Sequence, residues 1–219
     1  EILSRLLDAR AARQAVALIT DLATGAQRLV PRAAARDDAL AGALEEAFRF
    51  DQSGNHDGQF VAIQNPPLHL IIIGAVHIAQ AVIPVAQQLG YHVTVIDPRG
   101  AFATGARFPG IDLKVEWPDE VLPQMSLDQR TAMIALTHDP KIDDPALVAA
   151  LKADLFYIGA LGSKKTQASR VARLQEKGFN DQQIARIHGP IGLAIGAKGA
   201  PEIAISIMAE MTRALRLGA

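Results

Sequence analysis

Cysteine is absent from the 219 residues of the sequence. The chain therefore forms no disulfide, offers no thiolate to a metal ion and has no cysteine nucleophile. A sequence without cysteine is compatible with a reducing compartment, in which disulfides do not persist.

Long apolar runs and an excess of charge are absent as well. Runs such as 68–75 are far too short to cross a bilayer. Lysine and arginine number 22 against 23 aspartate and glutamate, a net charge of −1, so neither nucleic acid nor a membrane is predicted as a partner. The residues after Glu1 show no basic-then-apolar leader, and we expect no signal peptide from them.

Hydrophobic residues make up 49% of the sequence, which is enough for a sizeable core. The first part of the chain mixes helical and strand patterns and ends at the stiff segment Asn65-Pro66-Pro67. It predicts a small N-terminal α+β domain over residues 1–66. The expected elements are a helix over 1–13, a hairpin turning at Thr24-Gly25, a helix over 37–50 and a strand over 60–64.

From residue 67 onward, apolar strands alternate with helical segments. Strands that are continuously rich in Ile, Val and Leu are typical of a parallel sheet buried on both faces. We therefore predict an α/β domain over 67–219, built on a Rossmann-like, doubly wound parallel sheet. Strands are expected at 68–74, 91–97, 113–115, 131–137 and 154–161, and helices at 77–89, 145–152 and 166–177 and from Pro201.

The first strand-to-helix turn reads Gly74-Ala75-Val76-His77. In a dinucleotide-binding G-x-G-x-x-G turn, the second glycine lets pyrophosphate approach the backbone at the helix N-terminus. Here Val76 occupies that position, and its side chain is expected to crowd a pyrophosphate. Two interpretations stay open: a ligand-binding turn, or a tight turn that needs only Gly74.

The second strand ends at Asp97, which is followed by Pro98 and Arg99. A Rossmann unit places its ribose-binding carboxylate at this position, and the Arg99 guanidinium could pair with a phosphate or carboxylate. The alternative is that Asp97 caps the turn and Arg99 is solvated. The end of a central strand favours ligand binding, because open α/β sheets bind ligands there.

Thr137-His138-Asp139 ends a later central strand. A histidine there could relay protons or hydrogen-bond a ligand; the alternative is an ordinary loop histidine, and the strand-end position favours the ligand. For the nearby Asp144-Pro145 a structural role is predicted, with Asp144 as the helix N-cap and Pro145 at the first helical position.

The next strand is followed by Gly162-Ser163-Lys164-Lys165, which opens a helix. Such a segment predicts an anion cradle, because an anion would offset lysines that oppose the helix dipole. The alternative is an N-cap at Ser163 with solvated lysines. The glycine-rich stretch 186–197 is interpreted as packing, and the role of His188 stays open.

We expect the four loops to converge on one cofactor site at one edge of the sheet, without a metal ion. The predicted cofactor-binding residues are Gly74, Ala75, Val76, His77, Asp97, Arg99, Thr137, His138, Asp139, Gly162, Ser163, Lys164 and Lys165.

Five segments together resemble the XdhC/CoxI family of xanthine dehydrogenase accessory factors. The chain departs from the family at Val76, where the family's turn usually has a second glycine, and in residues 1–65, which lack its Ser-Gly-Gly-Cys-type motif. The matching segments occur in the family's order within 66–212: LIIIGAVHIAQAVIPVAQQLGYHVTVIDPR, the Thr-His-Asp turn with Asp143 after it, YIGALGSKKT, RIHGPIGLAIGA and APEIAISIMAE.

The resemblance implies a cytoplasmic, homodimeric chaperone, rather than an enzyme, that binds molybdenum cofactor as cargo, either as molybdopterin or as its dinucleotide. Its implied partners are a cysteine desulfurase, which sulfurates the cofactor, and an apo molybdenum hydroxylase of the xanthine-dehydrogenase or CO-dehydrogenase type. Two alternatives come from other classes. One is an NAD(P)-dependent oxidoreductase, which Val76 and the lack of an evident proton-transfer set disfavour. The other is a regulatory nucleotide-binding module.

Overall fold

The structure is a computed structural model that describes residues 1–218. The chain divides into two compact units, Glu1–Pro66 and Pro67–Ala219, called here the N-terminal and C-terminal units. No helix within residues 1–218 is both long and apolar enough to traverse a bilayer.

The N-terminal unit combines an antiparallel sheet with helices. Its elements are α1 (Ile2–Ala11), β1 (Val16–Asp21), β2 (Gln27–Pro31), a 3-10 helix (Arg32–Asp37), α2 (Ala41–Phe50), β3 (Gly54–His56) and β4 (Gln59–Gln64). The strand order is β2-β1-β4-β3, and every pair is antiparallel. Ala17, Ile19 and Val61 from the sheet form a core with Leu44 and Phe48 from α2.

Two elements of this unit differ from the sequence prediction. Helix α2 begins four residues later than predicted, at Ala41, because the Asp38 carboxylate accepts the N–H of Leu40 at 3.0 Å in the bend before it. The segment predicted as a loop contains β3, because Asp57 and Gly58 both have positive φ and form the two-residue turn into β4.

The C-terminal unit alternates strands and helices. Its strands are β5 (His69–Ile73), β6 (His92–Ile96), β7 (Asp112–Lys114), β8 (Thr131–Ala135), β9 (Tyr157–Ala160) and β10 (Ile187–His188). Its helices are α3 (His77–Gln88), α4 (Pro118–Val121), a 3-10 helix (Leu122–Gln124), α5 (Pro140–Lys152), α6 (Lys164–Glu176), α7 (Asp181–Ile184) and α8 (Ala200–Leu217).

All six strands pair in parallel, in the order β10-β9-β8-β5-β6-β7. The chain moves outward in one direction from β5 to β7, then returns to the other side of β5 with β8 and continues to β10. The direction of winding therefore reverses between β5 and β8. This is the strand order of a Rossmann fold, and the reversal is its topological switch point.

Strand β5 is buried on both faces, as its continuous apolar sequence predicts. Leu70 and Ile72 pack in a core with α3 and α8. Ile71 and Ile73 pack on the opposite face in a core that includes Leu147 of α5. The predicted α/β class, with a doubly wound parallel sheet and a small N-terminal α+β region, is confirmed.

Helix α5 corrects one prediction. It begins at Pro140 rather than Pro145, and its N-cap is Asp139, whose carboxylate accepts the N–H of Lys141 at 2.9 Å. Two Asp-Pro pairs lie within residues 137–145 and carry the same cap-and-proline signature, and the earlier one starts the helix. Asp144 is therefore not a cap, and Pro145 lies inside the helix.

Candidate functional site

The loops after β5, β6, β8 and β9 all leave the carboxyl edge of the parallel sheet, so the predicted site residues share one edge. The loops on the two sides of the switch point touch. Gly74 has a φ of +110°, and a Cβ there would lie 2.6 Å from Cγ2 of Thr137. Glycine at position 74 is therefore required both by its backbone conformation and by the approach of the neighbouring loop.

The turn after β5 is held by hydrogen bonds to the backbone of Ala75. Ala75 is fully buried, and its N–H donates to the Asp97 carboxylate at 2.7 Å. Val76 lies at the N-cap of α3 and is only partly exposed, because it packs against the core on that face of the sheet. His77 is the first residue of α3 and is exposed.

Asp97 is fully buried, and its carboxylate accepts four hydrogen bonds. Oδ2 accepts from Ala75 N at 2.7 Å and from Nη2 of Arg99 at 2.8 Å, and Oδ1 accepts from N and Nε of Arg99 at 3.0 and 2.9 Å. Burial alone would raise the pKa of Asp97, but the bonds from Arg99 and Ala75 outweigh it and hold that pKa below its ordinary value. All acceptor positions of the carboxylate are used inside the protein.

Arg99 lies in the loop after β6, close enough to the loop after β8 to be influenced by its charges. Its side chain is one-third exposed, and the guanidinium carbon lies 4.7 Å from the centre of the Phe102 ring. The Asp97 hydrogen bond raises the pKa of Arg99, and Asp139 and Asp143 in the neighbouring loop add to this through space. The guanidinium is thus anchored by Asp97 but still faces solvent at the carboxyl edge.

Arg107 is a site residue that the sequence reasoning missed. Its Nη1 donates to the carbonyl oxygens of Ala75 and Phe102, at 2.9 and 2.7 Å, and its Nη2 donates to Oε1 of Gln80 at 3.1 Å. No strand-end pattern marks this residue, because it lies in the middle of the long loop between β6 and β7. The C=O and the N–H of Ala75 are therefore both bound by that loop.

The loop after β8 is organised by Asp143. Its Oδ1 accepts from the hydroxyl of Thr137 at 2.7 Å, and its Oδ2 accepts from the N–H of His138 at 3.0 Å. His138 adopts a φ of +63°, which is uncommon for a residue other than glycine, and its side chain is exposed. Burial raises the pKa of Asp143, and the hydrogen bonds from Thr137 only partly oppose it.

The loop after β9 starts α6 as a capped helix. Ser163 is the N-cap, and its hydroxyl accepts the N–H of Thr166 at 3.2 Å. Lys164 and Lys165 occupy the first turn and are exposed. The cap role considered for Ser163 is therefore present, together with two lysines at the carboxyl edge.

A cavity of about 230 Å³ lies between the start of α5 and the first three turns of α6. Lys165 lines it and Lys164 does not. Arg170 and Arg173 also line it, and sequence reasoning missed both because they lie in the interior of a helix rather than at a strand end. Lining side chains from the two helices and the preceding loop include His138, Asp143, Lys165, Thr166, Arg170 and Arg173. We call this space the basic cavity.

Comparison with known proteins identifies the family. The sequence model of the XdhC Rossmann domain matches residues 70–211, which contain the switch-point turn, the basic cavity and most of α8. The chain belongs to the XdhC family. The family predicted from the five sequence segments is thereby confirmed.

Two curated relatives and one solved structure are similar to this XdhC domain chain. A probable xanthine dehydrogenase subunit of Bacillus subtilis is 32% identical over 74% of the chain and 46% of the relative. The molybdenum cofactor insertion chaperone PaoD of Escherichia coli is 32% identical over 67% of the chain and 40% of the relative. A crystal structure from Bacillus halodurans, described as a xanthine dehydrogenase, aligns with a TM-score of 0.69 and 25% identity over the whole chain and 65% of that structure. The chain thus spans less than half the length of these curated relatives.

His188, whose role the sequence left open, lies in an XdhC segment that binds α8 to the edge of the sheet. Its Nδ1 is 3.4 Å from Oε1 of Glu210, and its ring stacks on Tyr157 at 4.6 Å. Tyr157 donates its hydroxyl to Oε2 of Glu210 at 2.6 Å, and the N–H of Gly192 donates to the same oxygen at 2.8 Å. Burial, with Glu210 adding to it, raises the pKa of Tyr157. These contacts anchor the helix.

Within residues 1–218, no group of three His, Asp or Glu side chains is arranged to hold a metal ion. The polar residues of the carboxyl edge instead bind one another or line the basic cavity. What this edge offers a ligand is positive charge at Lys165, Arg170 and Arg173, together with the exposed His138. Such a set suits an anionic ligand.

Proposed function

We propose that the chain binds molybdenum cofactor at the carboxyl edge of its parallel sheet and assists the maturation of the cofactor and its insertion into a molybdenum hydroxylase of the xanthine-dehydrogenase or CO-dehydrogenase type. The observation that carries the proposal is the basic cavity beside the switch point, at residues matched by the XdhC domain model. The cofactor's pterin ends in phosphate, alone or as part of a dinucleotide. The names of two relatives, a cofactor insertion chaperone and a xanthine dehydrogenase subunit, point the same way.

The predicted site residues take different parts in this proposal. Asp97 shapes the turn that contains Ala75, and Arg99 extends from Asp97 toward the edge. His138 and Lys165 face the cargo from the basic cavity. The remaining predicted residues form the backbone walls and rims of the same edge: Gly74, Val76, His77, Thr137, Asp139, Gly162 and Ser163. Lys164 lies outside the lining of the basic cavity, and we assign it no contact with the cargo.

We assign binding and delivery, but no chemical step, to this chain. These 219 residues contain no cysteine, so they cannot themselves carry the sulfur that matures the cofactor. A cysteine desulfurase would carry that sulfur as a persulfide and meet the cofactor while this chain holds it. We also propose a cytoplasmic homodimer; light scattering of the purified protein would test the dimer directly.

The alternative of an NAD(P)-dependent oxidoreductase is disfavoured by the first turn. In a dinucleotide-binding turn, backbone N–H groups hold the pyrophosphate. Here the N–H of Ala75 is bound to Asp97, and Val76 replaces the glycine that would expose the backbone. The carboxylate at the ribose position is likewise saturated by Ala75 and Arg99.

The proposal is tested by the small molecule that accompanies the protein. The chain is purified without oxygen from cells that synthesise the cofactor, and bound pterin is released, oxidised to its fluorescent form and identified by mass spectrometry. A pterin present at a substantial fraction of one per chain supports the proposal. A nicotinamide nucleotide in its place, or no pterin at saturating cofactor supply, contradicts it.

A further inference from the structure

The basic cavity contains a buried cation that has no ion-pair partner among residues 1–218. Arg170 lies two turns into α6, and only 2% of its surface is exposed. A guanidinium keeps its charge in proteins. Removing that charge from water is costly unless a counter-charge lies against it.

The hydrogen bonds of Arg170 are incomplete. Nη1 donates to Oε1 of Gln167 at 2.5 Å and Nη2 donates to the carbonyl of Leu161 at 2.9 Å, both of which are neutral acceptors. Nε is buried and has no partner among the described residues. The Gln167 amide packs against Gly189, where a Cβ would collide with it, so this arm of the guanidinium is held firmly in place.

Neither of the two nearby carboxylates, Asp143 and Asp144, forms a direct ion pair with Arg170. Asp144 pairs with Arg173 through two bonds of 2.6 and 3.0 Å. Asp143 uses its oxygens for Thr137 and His138. Burial lowers the pKa of Arg170, and these two aspartates oppose the shift only through space.

The charge around the cavity is therefore positive. Lys165, Arg170 and Arg173 line the cavity with a single lining carboxylate, Asp143. Asp144, which does not line it, pairs with Arg173, so positive charge remains in excess without counting His138. The N-terminus of α6 adds the positive end of its dipole. The volume of about 230 Å³ far exceeds the roughly 10–15 Å³ that one water requires, so the cavity has room for a group larger than a water molecule.

We infer that the basic cavity is a phosphate-binding subsite, with Arg170 as its buried anchor and Lys165 as the cation at its mouth. The identification of the phosphate as part of a pterin cargo rests on the proposed function. Its source is then the terminal phosphate of molybdopterin or the pyrophosphate of the dinucleotide form. The binding of phosphate itself stands on the cavity alone.

The experiment titrates the full chain with inorganic phosphate, in phosphate-free buffer at constant ionic strength, and follows the ³¹P resonance. Wild type is expected to show one saturable site. Lys165→Ala should weaken binding by about tenfold or more, which corresponds to roughly 1.4 kcal/mol. Lys164→Ala is the matched control, because it removes the same charge one residue away and outside the cavity lining, and it should change affinity by less than twofold.

Arg170→Met separates anion binding from a structural role. The variant keeps an unbranched, flexible side chain and removes a buried charge that lacks a counter-ion, so its melting temperature in phosphate-free buffer should equal or exceed that of wild type. Phosphate should stabilise wild type and leave the variant unchanged. A variant that melts earlier than wild type without phosphate, yet still binds it, would show that Arg170 is structural and overturn the inference. Equal phosphate affinity of Lys164→Ala and Lys165→Ala would overturn it as well.

Two further measurements distinguish the two possible sources of the phosphate, and they separate the phosphate subsite from the proposed pterin cargo. Pyrophosphate that binds more than tenfold tighter than phosphate indicates the dinucleotide form, and equal affinities indicate the monophosphate. If wild type binds phosphate in the cavity but retains no pterin, the subsite stands and the proposed cargo fails. If Arg170→Met retains pterin as well as wild type does, the subsite fails and the proposed cargo stands.

Discussion

The Asp97 carboxylate accepts the backbone N–H of Ala75 at 2.7 Å, so the residue at the ribose-binding position of a Rossmann unit holds the first turn of this sheet in place. The carbonyl of Ala75 is bound in turn by Arg107 at 2.9 Å. Both backbone groups of one residue are therefore fixed from the loop after β6. The protein itself therefore fixes the conformation of the turn, and neither backbone group of Ala75 is free to bind a ligand at the switch point.

Asp97→Asn is expected to destabilise the chain by about 2–4 kcal/mol, because an amide turns an N–H group toward donors that the carboxylate had satisfied. The free energy of unfolding in urea measures the loss. Asp112→Asn is the control: its pair with Lys114 is about one-third exposed, and its removal should cost clearly less. Equal losses of unfolding free energy for the two variants would mean that the buried hydrogen bonds from Ala75 and Arg99 stabilise the fold no more than the exposed pair of Asp112 and Lys114 does.

The same carboxylate predicts a pH dependence. The folded pKa of Asp97 is held below its unfolded value of about 3.9. Its contribution to stability is therefore present above that unfolded value and is lost as pH falls through the folded pKa. The difference in unfolding free energy between wild type and Asp97→Asn should be largest near pH 7 and shrink in acid. A difference that stays constant down to pH 3 contradicts the assignment.

Gly74→Ala tests the contact between the two loops at the switch point. Position 90 offers a control, because Gly90 also has a positive φ, +81°, but a Cβ there would have no atom within 4 Å. Both changes carry a backbone cost of roughly 1–2 kcal/mol. Gly74→Ala must also displace Thr137, whose hydroxyl bonds to Asp143, so overpacking should add about 1–3 kcal/mol. Urea unfolding of the two variants measures that difference, and similar midpoints would contradict it.

NAD(P) and NAD(P)H are expected to bind more weakly than micromolar, and Val76→Gly should not restore binding. A glycine at 76 would bare the backbone, but the N–H of Ala75 would still be bound to Asp97. Titration calorimetry of wild type and variant with both nucleotides is the measurement. Micromolar affinity in either protein, about 8 kcal/mol of binding free energy, would support an oxidoreductase instead.

The sequence predicted the sheet well because a parallel strand buried on both faces has an unmistakable composition, as 70–73 shows. It also located the carboxyl-edge loops, since ligand sites of open α/β sheets follow strand ends. It missed Arg107, Arg170 and Arg173, because their roles arise from contacts between elements that are distant in sequence. The sequence does not show whether an arginine in a helix is solvated or buried. For Arg170 and Arg173, that depends on how α6 packs on α5.

The predicted start of α5 is wrong because two helix-start signals lie close together. Asp139-Pro140 and Asp144-Pro145 carry the same helix-start signature, and the preference of the backbone for the first of them depends on tertiary bonds. With the helix beginning at Pro140, Asp143 lies in its first turn and accepts hydrogen bonds from Thr137 and His138. Asp144 then faces Arg173 across the two helices. Neither contact is visible in the sequence.

The most direct test of the central claim, that an anionic molybdenum cofactor is held at this edge, is its retention by a variant that lacks both first-turn lysines of α6. Wild type, Lys164→Ala and the double variant Lys164→Ala/Lys165→Ala are loaded with cofactor under identical conditions, desalted and assayed for pterin per chain. Circular dichroism should show the same fold for all three, because exposed lysines in a first turn do little for helix stability. The account predicts that Lys164→Ala retains about as much cofactor as wild type and that the double variant retains less than about one-tenth, since each charge-assisted bond contributes about 1.5–3 kcal/mol. Equal retention by the double variant would contradict it, and the anion site would then have to lie elsewhere on the chain.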